Sequence, residues 1–162
     1  MLSNSLLVKR VTALALALLF LVSTGVMRVE AAAVRNLNSE QTEAVIEDAF
    51  NGLVAFDVQR VVNHFADDAT LEDPVGTPPI VGKQAIAAYL GTFPTLFSEM
   101  KLYSLDIKVR GQEAAVKWRL RFKTKTGNTF FLDGIGIFKL NEEGKIVSER
   151  EFFDFEYFVA QL

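Results

Sequence analysis

The sequence contains no cysteine and only one histidine, and both shortages restrict its chemistry. Without cysteine there are no disulfide bonds, no thiolate nucleophile and no sulfur-ligated metal. The single histidine, His64, has no second histidine or suitably spaced carboxylate with which to bind a metal, and we interpret it as a helix-surface residue. No Gly-x-Ser-x-Gly stretch supports a Ser-His-Asp hydrolase. We therefore expect no metal and no cofactor.

The sequence also has no concentration of positive charge. It contains 17 Lys and Arg residues and 20 Asp and Glu residues, a net charge of −3. The basic residues form no cluster interleaved with aromatic side chains. A nucleic-acid surface needs such a cluster to neutralise phosphates. We expect no nucleic-acid partner.

The longest apolar run lies at the N-terminus, where Lys9 and Arg10 precede residues 11–22 and three alanines follow at 31–33. This arrangement is typical of a secretory signal peptide cleaved after Ala33. We expect residues 1–33 to be removed and residues 34–162 to form one extracytoplasmic domain, secreted or periplasmic. The alternative is an uncleaved leader, which would be the only contact of the protein with a membrane.

Helical periodicity dominates the next part of the chain. Apolar residues recur every three or four positions over residues 39–54, 57–65 and 83–93, which predicts three amphipathic helices. Ser39 and Asp57 precede the first two helices as capping residues. Between the second and third helices, proline, glycine and aspartate predict a turn-rich segment, with Asp67 and Asp68 as a solvated helix end.

The period changes to two from residue 102 onward. Alternation over residues 102–109, 116–122, 129–140 and 145–157 predicts four strands joined by tight turns. Three helices followed by an antiparallel meander give an α+β domain.

The third predicted strand is apolar on both faces. Phe131, Ile135 and Ile137 share one parity, whereas Phe130 and Phe138 have the other. We expect both faces to be buried, the second one in a homodimer formed through the sheet.

Residues 65–90, FADDATLEDPVGTPPIVGKQAIAAYL, resemble the SnoaL-like and ketosteroid isomerase (steroid delta-isomerase) branch of the NTF2-like superfamily, whose members carry a near-identical FADDAT-x-EDPVG run. The resemblance extends more weakly from about residue 40 to the C-terminus. It implies an NTF2-like cone, in which three N-terminal helices pack on a curved antiparallel sheet of about four strands. It also places Asp73 at the position of the proton-transferring base.

The resemblance places several aromatic residues around the same pocket. Phe65 lies behind the base, and Trp118, Phe122 and Phe153 occupy pocket-lining positions; strand parity adds Phe138. The predicted ligand-binding residues are Phe50, Phe65, Tyr89, Trp118, Phe122, Phe138 and Phe153.

Two catalytic positions of ketosteroid isomerase are not matched. That enzyme stabilises its intermediate with a tyrosine and a protonated acid. Here Ala49 occupies the tyrosine position and Gly136 the acid position, which removes about 3 to 4 kcal/mol of stabilisation per donor. We expect no neighbouring acid to replace them. Tyr89, Tyr103 and Tyr157 are the phenols from which a replacement donor would come.

Three functions follow from these observations. The first is a pocket protein that binds a small hydrophobic molecule without converting it, which the missing donors favour. The second is an enzyme in which Asp73, with its pKa raised by an apolar wall, transfers a proton in an isomerisation, cyclisation or hydration. The third is a dimerisation or interaction module whose cavity is filled by its own side chains.

The simplest interpretation of Asp73 gives it no catalytic function. In this interpretation its carboxylate only accepts backbone hydrogen bonds in an Asp-Pro turn.

Overall fold

The computed structural model describes residues 37–162. The predicted signal peptide, residues 1–33, lies outside these described residues and stays a prediction. Among residues 37–162, no helix is long and apolar enough to cross a membrane.

Two helices open the described chain. Helix α1 (Ser39–Val54) is capped by Asn38 rather than Ser39, because the Asn38 side chain accepts from the Gln41 backbone N–H at 2.8 Å while the Gln41 side chain accepts from the Asn38 N–H. Asp57 caps helix α2 (Val58–Val62), as predicted. Further along, α3 (Lys83–Leu90) and the short α4 (Phe93–Leu96) cover the region of the third predicted helix.

A six-stranded sheet forms the other layer. Its strands are β1 (Phe65–Glu72), β2 (Ile80–Val81), β3 (Phe97–Arg110), β4 (Glu113–Thr124), β5 (Thr129–Leu140) and β6 (Ile146–Phe153). Their order is β2-β1-β6-β5-β4-β3, and every pair is antiparallel except β1 with β6. Helix α5 (Phe155–Val159) ends the chain. The predicted α+β cone, with helices packed on a curved and mainly antiparallel sheet, is confirmed.

The prediction missed strand β1. Phe65 does not extend α2 but begins this strand, and Asp67 and Asp68 are exposed residues of the strand instead of a helix end. Phe65, Ala69 and Leu71 are buried. The strand pairs with β6 and with β2, which raises the strand count from about four to six.

Two strands differ from their predicted course. An irregularity between Ser104 and Asp106 shifts the register of β3, so Tyr103 and Leu105, predicted to be half-buried, are exposed. Strand β6 ends at Phe153 rather than Tyr157, because Asp154 caps α5 by accepting from the Tyr157 N–H at 2.8 Å.

The outer face of β5 is exposed. Phe131, Ile135 and Ile137 expose 50%, 46% and 37% of their surface, so the single chain buries only the inner face of this strand. The homodimer through the sheet stays a prediction.

The inner face of β5 contains two glycines that leave room for larger neighbours. A Cβ at Gly134 would lie 2.2 Å from Trp118 Cζ2 and 2.8 Å from the Phe152 carbonyl oxygen. The indole therefore lies directly on the strand backbone. The close approach sets the position of Trp118 in the interior.

We expect Gly134→Ala to lower the free energy of unfolding by about 1 to 3 kcal/mol, because the added methyl displaces the indole or the strand backbone. Urea denaturation of the full chain measures this. The neighbouring substitution Ile135→Val, on the exposed face, is the control and should cost less than about 0.5 kcal/mol. Equal stability of the two variants would contradict the close packing.

Candidate functional site

A cavity of about 90 Å³ lies between the helices and the inner face of the sheet. It exceeds the space that one water molecule needs, so the protein's own side chains do not fill it. All the predicted site residues line it: Phe50, Phe65, Asp73, Tyr89, Trp118, Phe122, Phe138 and Phe153. The structure thus brings together residues from α1, α3 and four strands.

Asp73 follows directly after β1, where the chain turns at a cis peptide bond to Pro74. Its Oδ2 accepts a hydrogen bond from the Tyr89 hydroxyl at 3.0 Å. The turn is held by other groups: Thr77 donates to the Pro74 carbonyl oxygen, and the Val75 N–H donates to the Glu151 carbonyl oxygen at 2.7 Å. The Asp73 carboxylate is therefore turned toward the cavity instead of capping its own turn.

Burial raises the pKa of Asp73 to about 6, and the hydrogen bond from Tyr89 offsets part of this rise. The same burial, together with the charge of Asp73, raises the pKa of Tyr89, so its phenol keeps its proton. Tyr89 is therefore a stable donor to an Asp73 that changes charge near neutral pH.

Two further carboxyl groups, Glu149 and Glu151, reach the cavity from β6. Glu151 Oε2 accepts a hydrogen bond from Trp118 Nε1 at 2.6 Å. The two glutamates lie two residues apart on this strand, and each influences the ionisation of the other. Burial first, and then the neighbouring acids, raise the pKa of Glu149 to about 8 and that of Glu151 well above its ordinary value. This pair therefore holds protons at neutral pH.

A carboxyl group lies beside the position of the missing acid, which the sequence did not lead us to expect. Gly136 occupies the position of the family's acid, and it pairs directly with Glu151 across β5 and β6. A Cβ at Gly136 would lie 2.6 Å from Glu151 Oε1, so the glycine leaves the space that this carboxyl occupies. This carboxyl thus comes from the adjacent strand. The signal was available in the sequence, because Glu149 and Glu151 share the parity of Phe153.

The three phenols differ in position. Tyr89 enters the cavity from α3, while Tyr103 and Tyr157 are exposed at 46% and 43%. Ala49 lines the cavity without a polar group, as predicted. Of the three, Tyr89 is therefore the phenol that lies in the site, where it donates a hydrogen bond to Asp73.

His64 does not line the cavity. Its Nε2 lies 2.6 Å from Asp48 Oδ2, and Asp48 also accepts from the Arg60 guanidinium. These contacts of Asp48 connect α1 with α2 and with the turn that follows α2.

The C-terminal helix α5 contributes side chains that strand prediction missed. Phe158 packs on Phe122, Phe130 and Phe153 with ring centroids 5.7 to 6.1 Å apart. Phe155 also lines the cavity and exposes 47% of its surface, so the cavity reaches the surface beside α5. The predicted fourth strand ran to residue 157, so the sequence did not indicate that a helix places Phe155 and Phe158 at the cavity.

A family model described as the SnoaL-like domain matches residues 46–149. The chain belongs to the SnoaL-like domain family. This confirms the resemblance to the SnoaL-like proteins of the NTF2-like superfamily.

Two solved structures share the fold. One is SalBIII, described as an epoxide hydrolase/cyclase-like enzyme in pyran ring formation in the polyether salinomycin. Its sequence is 23% identical to this one, and the TM-score is 0.67 over 74% of this chain and 95% of that chain. The other is an NTF2-like protein of unknown function from Burkholderia pseudomallei, 17% identical, with a TM-score of 0.68 over 75% of this chain and 96% of that one.

Trp118 is the only tryptophan of the chain and reports directly on the glutamate pair. We expect its fluorescence to titrate as the pH rises from 5 to 9, because ionisation of the pair changes the charge next to the indole. Glu151→Gln should abolish this titration, and Glu143→Gln, an exposed glutamate in the β5–β6 turn, should retain it. A titration unchanged in Glu151→Gln would contradict the assignment.

The same pair should make stability depend on pH. Folding raises the pKa of Glu149 from about 4.5 to about 8, so between these values the folded state binds more protons than the unfolded state. The free energy of unfolding therefore falls as the pH rises through this window, by about 1.4 kcal/mol per pH unit for each retained proton. Urea denaturation at pH 5, 6, 7 and 8 measures the slope. Glu149→Gln should flatten it, whereas an equal slope in that variant would refute the raised pKa.

Proposed function

We propose that this protein is an acid–base enzyme acting on a small, largely apolar organic substrate in the cavity. Asp73 removes a proton from the substrate or from a bound water, and the Glu149–Glu151 pair donates a proton to an oxygen of the substrate. The observation that carries the proposal is the presence, in one apolar cavity, of carboxyl groups whose environments keep them in different protonation states.

The pKa of Asp73, about 6, suits a general base at neutral pH. Above this pH the carboxylate is mostly ionised, yet it is more basic than an exposed aspartate. A base with a pKa near the working pH combines the correct charge with a useful driving force for proton transfer. Tyr89, which donates to Asp73 Oδ2, fixes the orientation of the carboxylate and leaves Oδ1 to accept the proton.

The glutamate pair suits the acid. Its raised pKa values keep a proton available at neutral pH. Trp118 donates to Glu151 Oε2, which orients the carboxyl and leaves Oε1 to donate. A hydrogen-bond donor that meets developing negative charge in a dry site contributes on the order of 3 to 4 kcal/mol to catalysis.

The SalBIII description supports this class of reaction by analogy of fold. SalBIII is described as epoxide hydrolase/cyclase-like and as acting in pyran ring formation. In general, opening an epoxide by a hydroxyl group or by water needs a base for the attacking oxygen and an acid for the leaving oxygen. The carboxyls of the present chain supply both groups. In hydration Asp73 takes the proton from water and in ring closure from a substrate hydroxyl, with a C–O bond broken in each case; in isomerisation it moves a proton between carbons and no C–O bond breaks.

Binding without turnover is the second candidate, favoured by the aromatic wall of the cavity. It gives no role to the raised pKa values of the carboxyls. The third function, an interaction module, assumed a cavity filled by the protein's own side chains. The cavity of about 90 Å³ does not support it.

We expect Asp73→Asn to reduce turnover about 10²- to 10⁴-fold, because the amide cannot accept the proton. The full chain is incubated with a small-molecule extract of its source, and compounds consumed or formed are followed by mass spectrometry. Running the reaction in D₂O and in H₂¹⁸O separates the reactions: isomerisation adds carbon-bound deuterium, hydration adds ¹⁸O, and ring closure adds neither.

Asp67→Asn is the matched control, since Asp67 is an exposed aspartate of β1, six residues before Asp73. It should behave as the unsubstituted chain does. A compound that the unsubstituted chain and Asp73→Asn bind equally and leave unchanged would refute the enzyme and favour the carrier.

A further inference from the structure

The charges of the cavity are unbalanced. Asp73, Glu149 and Glu151 line it, and no lysine, arginine or histidine occurs among the described residues that do so. The arginines of the neighbouring strands are engaged elsewhere: Arg119 pairs with Asp133 at 2.6 Å and Arg150 with Glu72 at 3.1 Å. A buried carboxylate without a cation is unfavourable, so positive charge from a ligand would be favoured there.

The phenol and the indole of the cavity already have acceptors. The Tyr89 hydroxyl donates to Asp73 and the Trp118 N–H donates to Glu151. The negatively charged group left to meet a ligand is the carboxylate of Asp73. Such a site is matched by a ligand that brings positive charge rather than another acceptor.

The rest of the wall is aromatic. Tyr89 and Phe93 pack edge to face at 5.3 Å, and Trp118 lies 6.1 Å from Phe153, so rings surround the space beside the carboxyls. Aromatic faces attract cations, most strongly where water is excluded. They also accommodate the apolar part of the same ligand.

We propose that the cavity binds a small lipophilic ammonium ion, with its charge beside the Asp73 carboxylate and its apolar part against the aromatic wall. This names the substrate class of the enzyme and rests on the proposed function, in that the same cavity is the site.

The proton equilibria of the cavity support this ligand. The pKa of Asp73 is raised because this acid is buried without a cation, and a bound cation favours its ionised form. Among the described residues, the charged and titratable groups that line the cavity are Asp73, Glu149, Glu151 and Tyr89. Binding should therefore release protons and become tighter as the pH rises from 5 to 8.

The test compares benzyltrimethylammonium with neopentylbenzene, which has the same shape but carbon in place of the charged nitrogen. Binding to the full chain is followed by Trp118 fluorescence at pH 5 and pH 8, and by calorimetry of the ammonium in two buffers of different ionisation enthalpy. The quaternary nitrogen does not titrate, so any pH dependence belongs to the protein.

We expect the ammonium to bind at least about tenfold tighter than the neutral compound at pH 8, with proton release. This preference should fall at pH 5 and in Asp73→Asn, and should persist in Asp67→Asn. Equal or tighter binding of the neutral compound at pH 8, a preference independent of pH, or no ammonium binding would overturn the proposal. The pH comparison decides the matter on the unsubstituted chain if Asp73→Asn does not fold.

The binding experiment involves no turnover, so the two proposals fail separately. Ammonium preference without Asp73-dependent turnover would refute the enzyme and leave the ligand class standing. Asp73-dependent turnover without ammonium preference would refute the ligand class alone.

Discussion

The burial of three carboxyl groups in one apolar cavity is the constraint on which the site depends. Water does not solvate these groups fully, and none of the described lining residues is a cation that would neutralise them, so each pKa rises. The rise is unequal, because Asp73 accepts from Tyr89 whereas the charges of the other acids raise the pKa values of Glu149 and Glu151 further. At neutral pH the cavity therefore contains a carboxylate beside protonated acids, which is the arrangement that the proposed base and acid require.

The backbone of β5 makes that arrangement sterically possible. Gly134 leaves room for the Trp118 indole and Gly136 for the Glu151 carboxyl, which meet in a hydrogen bond of 2.6 Å. The register of β5 with β6 places Glu151 opposite Gly136. A side chain at either glycine would separate the indole from the carboxyl, so the hydrogen bond between Trp118 and Glu151 depends on the absence of a Cβ at both positions.

The sequence predicted the parts of the fold whose pattern is local. Strand β4 was found because apolar and polar residues alternate strictly along it, and Asp73 because of the run that resembles ketosteroid isomerase. Strand β1 was missed because Asp67 and Asp68 are exposed next to a turn-rich segment. The position of Glu151 beside Gly136 was missed because it depends on pairing between strands, which the alternation within one strand does not fix.

The raised pKa values of the three cavity carboxyls favour a catalytic function over the carriage of a neutral ligand. For each unit by which folding raises the pKa of an acid, the free energy of unfolding at pH values above the raised pKa is lower by about 1.4 kcal/mol. A carrier of a neutral hydrophobic molecule would bind it as well with apolar residues at Glu149 and Glu151, and would avoid this loss. Strongly perturbed pKa values concentrate at functional sites. The three acids are therefore best explained by a ligand or a reaction that uses their charge and their protons, which a purely apolar pocket would not require.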